Sequence, residues 1–130
     1  MKTAGLTALL CLSLLVSCGK ASADSGKVEA SPLAEAPLVT FIELGSVNCV
    51  PCKAMQPVMD SIRQKYPDQV SVVFYDVWTD EGQPYGRQYG IRVIPTQVFL
   101  NKDGKEFFRH EGFFPEEELL KILALGGVAP

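Results

Sequence analysis

The sequence is poor in the residues that most metal and nucleic-acid chemistry needs. It has one histidine (His110), one tryptophan (Trp78), four cysteines and no basic run, with 12 Lys and Arg against 15 Asp and Glu and a net charge of −3. A row of phosphates would find nothing here to neutralise it, which excludes nucleic acid as the partner. Four cysteines beside a single histidine exclude a multi-bridge scaffold and a four-ligand zinc centre. At 130 residues the chain also lacks the length for two cores, so it holds one small domain and whatever precedes it. Its apolar stretches are short: the longest, the almost unbroken Ala4 to Val16, is less than the roughly 20 residues a membrane-spanning helix requires.

What is present begins with that stretch. Met1-Lys2, the apolar core and the small residues at Ser17-Cys18-Gly19 form an export signal rather than a membrane helix. Leu15-Val16-Ser17-Cys18 further resembles the lipobox of bacterial lipoproteins. That resemblance implies cleavage before Cys18, acylation of Cys18 as the mature N-terminus, and a membrane-anchored protein of the bacterial cell envelope facing the periplasm or exterior. Gly19 stands where an inner-membrane retention signal would use aspartate, which favours outer-membrane sorting. An ordinary signal peptide with incidental cysteines at Cys11 and Cys18 is the alternative. The boundaries are therefore 1–17 for the signal, 18–37 for the attachment cysteine and a flexible tether, and 38–130 for the folded domain. The tether reads as such because Gly19 to Pro37 has almost no large apolar residue with which to offset its ordering entropy.

Within the domain the hydrophobic pattern alternates. Leu38 to Leu44 is an apolar run of the kind a strand shows when both faces are covered, and Glu43 is its one charge. Val50 to Tyr66 places Met55, Val58, Met59 and Ile62 at helical spacing, with a bend expected at Pro57. Val70 to Val77 is a second strand, and Glu81 to Tyr89 at best a short helix. Thr96 to Leu100 and Glu106 to Glu111 flank Asn101-Lys102-Asp103-Gly104, a turn between antiparallel strands. Pro115 to Leu125 is an amphipathic helix with Glu116, Glu117 and Glu118 as its solvated first turn. The order is strand, helix, strand, short helix, strand, strand, helix.

The chemistry lies in Asn48-Cys49-Val50-Pro51-Cys52-Lys53, where a buried strand gives way to a helix. A C-x-x-C alone serves metal binding as readily as electron transfer. At a helix start, the unpaired N–H groups and the dipole favour the thiolate that attacks disulfides, making Cys49 the candidate nucleophile. Cys52, one turn on, is placed to attack a mixed disulfide formed at Cys49. A purely structural disulfide would close too small a loop to stabilise much. His110 reads as structural or surface, Met55 and Met59 as core, and Trp78 and Tyr85 as packing residues, with groove lining as the alternative for the last two.

These residues are similar to the thioredoxin superfamily. Tyr89-Gly90-Ile91-Arg92-Val93-Ile94-Pro95-Thr96 resembles the family's segment containing its cis-proline. Pro57 follows Cys52 by the family's spacing, Glu43 occupies the place of its buried acid, and Gly104 and Gly112 fit its turn glycines. The resemblance implies an α/β, thioredoxin-like fold: a central mixed β-sheet flanked by helices, here without the family's usual first strand and helix. It implies a cis bond before Pro95, a substrate strand meeting Ile94, Pro95 and Thr96 beside Asn48, and Glu43 beneath Cys52 as the acceptor of its proton. Asn48 replaces the tryptophan common before the first cysteine, Val50-Pro51 replaces Gly-Pro, and the lysine near the buried acid has no counterpart, Asp76 falling nearby instead.

The function this implies is a cell-envelope thiol–disulfide oxidoreductase that reduces disulfides of exported proteins, recharged by an inner-membrane thiol electron donor. It needs no cofactor and no metal and works as a monomer. Two other classes stay open: a Cu(I)-handling module using the two thiols as soft ligands, and a non-catalytic adaptor of the same fold.

Overall fold

The computed structural model describes residues 36–130. The expected signal 1–17, with Cys11, the attachment residue Cys18 and nearly all of the tether lie outside the described residues. Seven elements follow in the expected order: β1 (Val39–Gly45), α1 (Val50–Lys65), β2 (Val70–Asp76), α2 (Gln83–Gln88), β3 (Thr96–Asn101), β4 (Glu106–Glu111) and α3 (Glu116–Leu125).

The four strands form one mixed sheet in the order β2-β1-β3-β4. β1 pairs parallel with β2 and antiparallel with β3, so it is central, and side chains packed on either side of the sheet cover both of its faces. This is why its apolar run is continuous rather than alternating. Val39, Phe41 and Glu43 point to one face, and Ile42 and Leu44 to the other. On the first face α1 and α3 pack through Met55, Met59, Ile62, Leu119 and Leu123, all at most 1% exposed, against Val39, Phe41 and Phe99. Phe41 and Phe99 stack with ring centroids 5.0 Å apart, and Phe114 meets Phe99 edge-on. On the second face Ile42, Leu44 and Val98 receive Tyr85, Tyr89 and Ile91 from α2 and the segment after it. Helices thus flank both faces.

The two methionines are core, as their spacing indicates, and Met55 Sδ also accepts the Phe114 N–H at 3.2 Å. α1 continues through Pro57 although that residue has no N–H to complete the helical ladder. Between β3 and β4 the Asn101 side chain accepts from the Asp103 and Lys105 N–H groups, and Gly104 takes the left-handed conformation (φ 74°) that closes the turn. The first turn of α3 departs from expectation. Glu117 and Glu118 are exposed, but Glu116 accepts from Ser61 Oγ and Lys65 Nζ and pins α3 to α1. His110 stacks on Phe114, centroids 4.1 Å apart, and its Nε2 lies 3.2 Å from the Phe113 carbonyl, a structural role.

Candidate active site

Cys49 is the N-cap of α1, with extended backbone angles and Pro51 following in the first turn. Its Sγ accepts the Cys52 N–H at 3.4 Å, so a backbone donor that the helix leaves unused is directed at sulfur. Cys49 and Cys52 are joined as a disulfide, with Cα atoms 5.2 Å apart. The two sulfurs differ in access: Cys49 is 7% exposed and Cys52 is sealed at 0%. An incoming disulfide therefore meets Cys49 first.

Cys52 rests on the C-terminal end of β1, where the sequence has Gly45. A Cβ at that position would lie 3.1 Å from Cys52 Sγ and 3.2 Å from Cys52 Cβ. Gly45 is thus a site residue that sequence reading missed; it passes for an ordinary turn glycine, and its meaning appears only when α1 is laid across it. Gly45→Ala is expected to displace Cys52 by a few tenths of an ångström and to lower stability by about 1–3 kcal/mol, read as a fall in urea midpoint. An unchanged midpoint would show that the helix start yields freely.

Glu43 lies beneath this contact, fully buried on the α1 face of β1. Its Oε1 is 3.5 Å from the same Gly45 Cβ position that Cys52 Sγ borders, and it has no hydrogen-bond partner. Its Oε2 accepts from Gln97 Nε2 at 2.9 Å. Burial pushes the Glu43 carboxyl from 4.5 up to about 8, against the Gln97 bond, which lowers it. Sequence reading also missed Gln97, although a lone amide within the apolar Thr96 to Leu100 is the same kind of signal that singles out Glu43.

The Ile94–Pro95 peptide is cis. Leu44 pairs with Thr96, and one further step of that antiparallel register sets Pro95 opposite Gly45, at the cysteine end of the sheet. Of the expected substrate contacts, Asn48 is exposed, Ile94 is half-buried and Pro95 is buried. Thr96 requires correction. Its side chain is fully buried, its hydroxyl donates to the Val93 carbonyl at 2.7 Å, and its strand is hydrogen-bonded on both edges, to β1 and β4. It therefore shapes the turn before it and leaves no free edge for a substrate.

Two further residues frame the site. The Asp76 carboxylate accepts from Ser46 Oγ and the Val47 N–H on one oxygen and from the Trp78 N–H on the other. Burial acts to raise its proton affinity, but these hydrogen bonds outweigh it and hold the carboxyl below its usual value. Asp76 thus ties the loop before Cys49 to the loop carrying Trp78. Tyr85 packs as expected, stacked on Tyr75 with centroids 3.6 Å apart, but Trp78 does not: it is 62% exposed. It lines a cavity of about 520 Å³ that also takes in Arg87, Val93 and Ile94. Among the described residues no group of three or more His, Cys, Asp or Glu side chains converges to hold a metal ion.

The profile of the family described as "Thioredoxin-like domain" matches residues 27–126. Thioredoxin 1 of Synechococcus elongatus is 38% identical over 89 residues, which are 68% of this chain and 80% of that protein. The thioredoxin of Bacillus subtilis is 37% identical over 75 residues, 58% of this chain and 69% of its own. Among solved structures, a mutant thioredoxin from Halobacterium salinarum superposes with a TM-score of 0.62 at 26% identity, covering 72% of this chain and 80% of that one. Thioredoxin NaTrxh from Nicotiana alata gives 0.60 at 29% identity over 72% and 76%. A buried-strand-to-helix junction carrying a disulfide, on a mixed sheet with helices on both faces, is the architecture on which these likenesses converge, and the chain belongs to the thioredoxin-like family as a thiol–disulfide oxidoreductase.

Proposed function

We propose that the protein is a membrane-tethered reductant of disulfides in exported proteins, with Cys49 as the attacking sulfur, Cys52 as the resolving one and Glu43 as the acceptor of the Cys52 proton. The observation that carries this reading is the asymmetry of the pair: Cys49 at a helix N-terminus keeps a small accessible area, while Cys52 is sealed against Gly45 with a carboxyl oxygen bordering the same space. In the reduced protein the Cys49 thiolate attacks a substrate disulfide. A Cys49–substrate disulfide forms and the first substrate sulfur leaves as a thiolate. Cys52 then loses its proton to Glu43 and attacks Cys49 Sγ; the Cys49–Cys52 disulfide closes and the second substrate sulfur leaves. Two electrons pass to the substrate, and its two thiolates take up protons. A dithiol donor at the inner membrane returns the electrons by the reverse exchange. The substrate strand lies along Ile94 and Pro95, with Asn48 and the Trp78 cavity on either side.

The anchoring part of the reading is supported by Leu15-Val16-Ser17-Cys18 and by the polar stretch that follows. Intact mass of the natural N-terminus tests it, a diacylglycerol adduct on Cys18 being the expected result. The redox part is tested by equilibrating the protein in glutathione buffers and following the fluorescence of Trp78, the single tryptophan, which shares the Asp76 staple with the loop before Cys49. One reversible two-electron transition is expected, absent in Cys49→Ser. A midpoint near about −270 mV places the pair among reductants, and one near about −120 mV would make it an oxidant. Absence of any transition, with tight Cu(I) binding that needs both thiols, would replace the redox reading with a metal-handling one.

A further inference from the structure

Glu43 and Gln97 are direct partners across the β1–β3 ladder, and both side chains are fully buried on the α1 face of the sheet. Gln97 Nε2 has two hydrogens and both are committed, one to Glu43 Oε2 at 2.9 Å and one to the Gly112 carbonyl at 3.1 Å. The Gly112 N–H in turn donates to the Pro95 carbonyl at 2.8 Å. This arrangement has a direction. While Glu43 is ionised, turning the Gln97 amide over would set its oxygen against two acceptors, the Glu43 carboxylate and the Gly112 carbonyl; when Glu43 holds its proton the Gly112 carbonyl still opposes the turned oxygen, so the donors stay where they are even though Gln97 Oε1 is left without a partner. With Oε2 held, the other Glu43 oxygen is the one that borders the Gly45 position against which Cys52 also packs.

We propose that Gln97 is a positioning residue: it fixes which oxygen of Glu43 faces Cys52 and joins that carboxyl, through the Gly112 peptide, to the segment that carries Pro95. The proposal rests on the reading that Glu43 accepts the Cys52 proton and adds to it the device that orients the acceptor. Gln97 stands where a cationic partner would hold the acid permanently ionised. A neutral amide holds it in place and leaves it free to exchange a proton. Among the groups packed around Glu43, α1 presents Cys52, β2 presents Phe74 in register, and β3 presents Gln97. Burial and the Gln97 bond are the influences on its proton affinity, with no charged side chain among them.

The test uses the oxidised protein and its Gln97→Met variant, whose side chain has similar length and no donor. In the unaltered protein the Gln97 side-chain N–H resonances are expected to titrate with the same midpoint as the Glu43 carboxyl carbon. Separate midpoints would overturn the proposal without any variant. In Gln97→Met the Glu43 midpoint is expected to rise by about one pH unit, because a hydrogen bond to the ionised form has been removed. Release of a substrate from a preformed Cys49 mixed disulfide at pH 7 should then slow by about tenfold, with its pH profile displaced by the same amount. A profile that does not move while Glu43→Gln slows release rejects the role of Gln97 alone. Release unaffected by Glu43→Gln removes the reading beneath it.

Discussion

Replacing Cys52 with serine is expected to turn the protein from a catalyst into a trap. Cys49, the more accessible of the two sulfurs, still attacks and still forms the mixed disulfide, but the sulfur that closes the cycle is gone. Release then depends on an outside thiol at millimolar concentration instead of a neighbour fixed one helical turn away. Well-placed intramolecular groups act at effective concentrations far above that, so steady-state reduction of a protein disulfide such as insulin should fall by roughly 10³-fold or more. A covalent adduct should accumulate at the same time, visible by intact mass under non-reducing conditions. Cys49→Ser should lose turnover to the same degree and accumulate no adduct, because Cys52 is fully buried beneath the loop and the helix start. Adducts on Cys49→Ser and none on Cys52→Ser would invert the assignment of the two sulfurs.

The parts of this site that sequence reveals are those whose signals are local. The continuous apolar run of β1, the helical spacing of Met55, Met59 and Ile62, and the Asn101 to Gly104 turn each fix an element from within a few residues, and together they order the fold. A C-x-x-C at a strand-to-helix junction and a carboxyl in an apolar strand are equally local. What stays hidden depends on partners distant in sequence. The Gln97 to Glu43 bond spans 54 positions, so Gln97 acquires its meaning only when β3 is laid beside β1. Gly45 matters only because α1 folds back across it. Boundaries shift for the same kind of reason. β2 ends at Asp76 and not Val77, where the Asp76 side chain accepts the Trp78 N–H and turns the chain. α2 begins at Gln83 and not Glu81, because Thr79 Oγ1 takes the Gly82 N–H just ahead of it. Trp78 reads as a packing residue by its type, yet the turn that Asp76 imposes leaves it exposed.

The second large effect is on stability, and its sign follows from Glu43. In the folded oxidised protein this carboxyl keeps its proton up to about pH 8, whereas in the unfolded chain it releases it near the ordinary value of 4.5. Between these values the folded state holds the extra proton, so raising the pH favours unfolding. The contribution is fully present below about 4.5 and is lost as the pH rises through 8. A difference of this size corresponds to on the order of 5 kcal/mol, a large part of what a small domain has. Few other groups obscure the window. Asp76, Glu106 and Glu116 are held below their ordinary values, so what they contribute disappears only in acid. Tyr75, Tyr89, Lys65, Lys121 and Arg109 are held above theirs, at alkaline pH. The disulfide cysteines do not titrate. The urea midpoint of the oxidised protein should therefore fall from about pH 5 to about pH 8 and level off above that, and Glu43→Gln, which carries no ionisable proton, should flatten the decline and be the more stable form at about pH 9. A parent protein with a level profile across that range would mean that Glu43 ionises without cost. The same buried carboxyl could then no longer be the poised acceptor that the release of substrate from Cys49 requires.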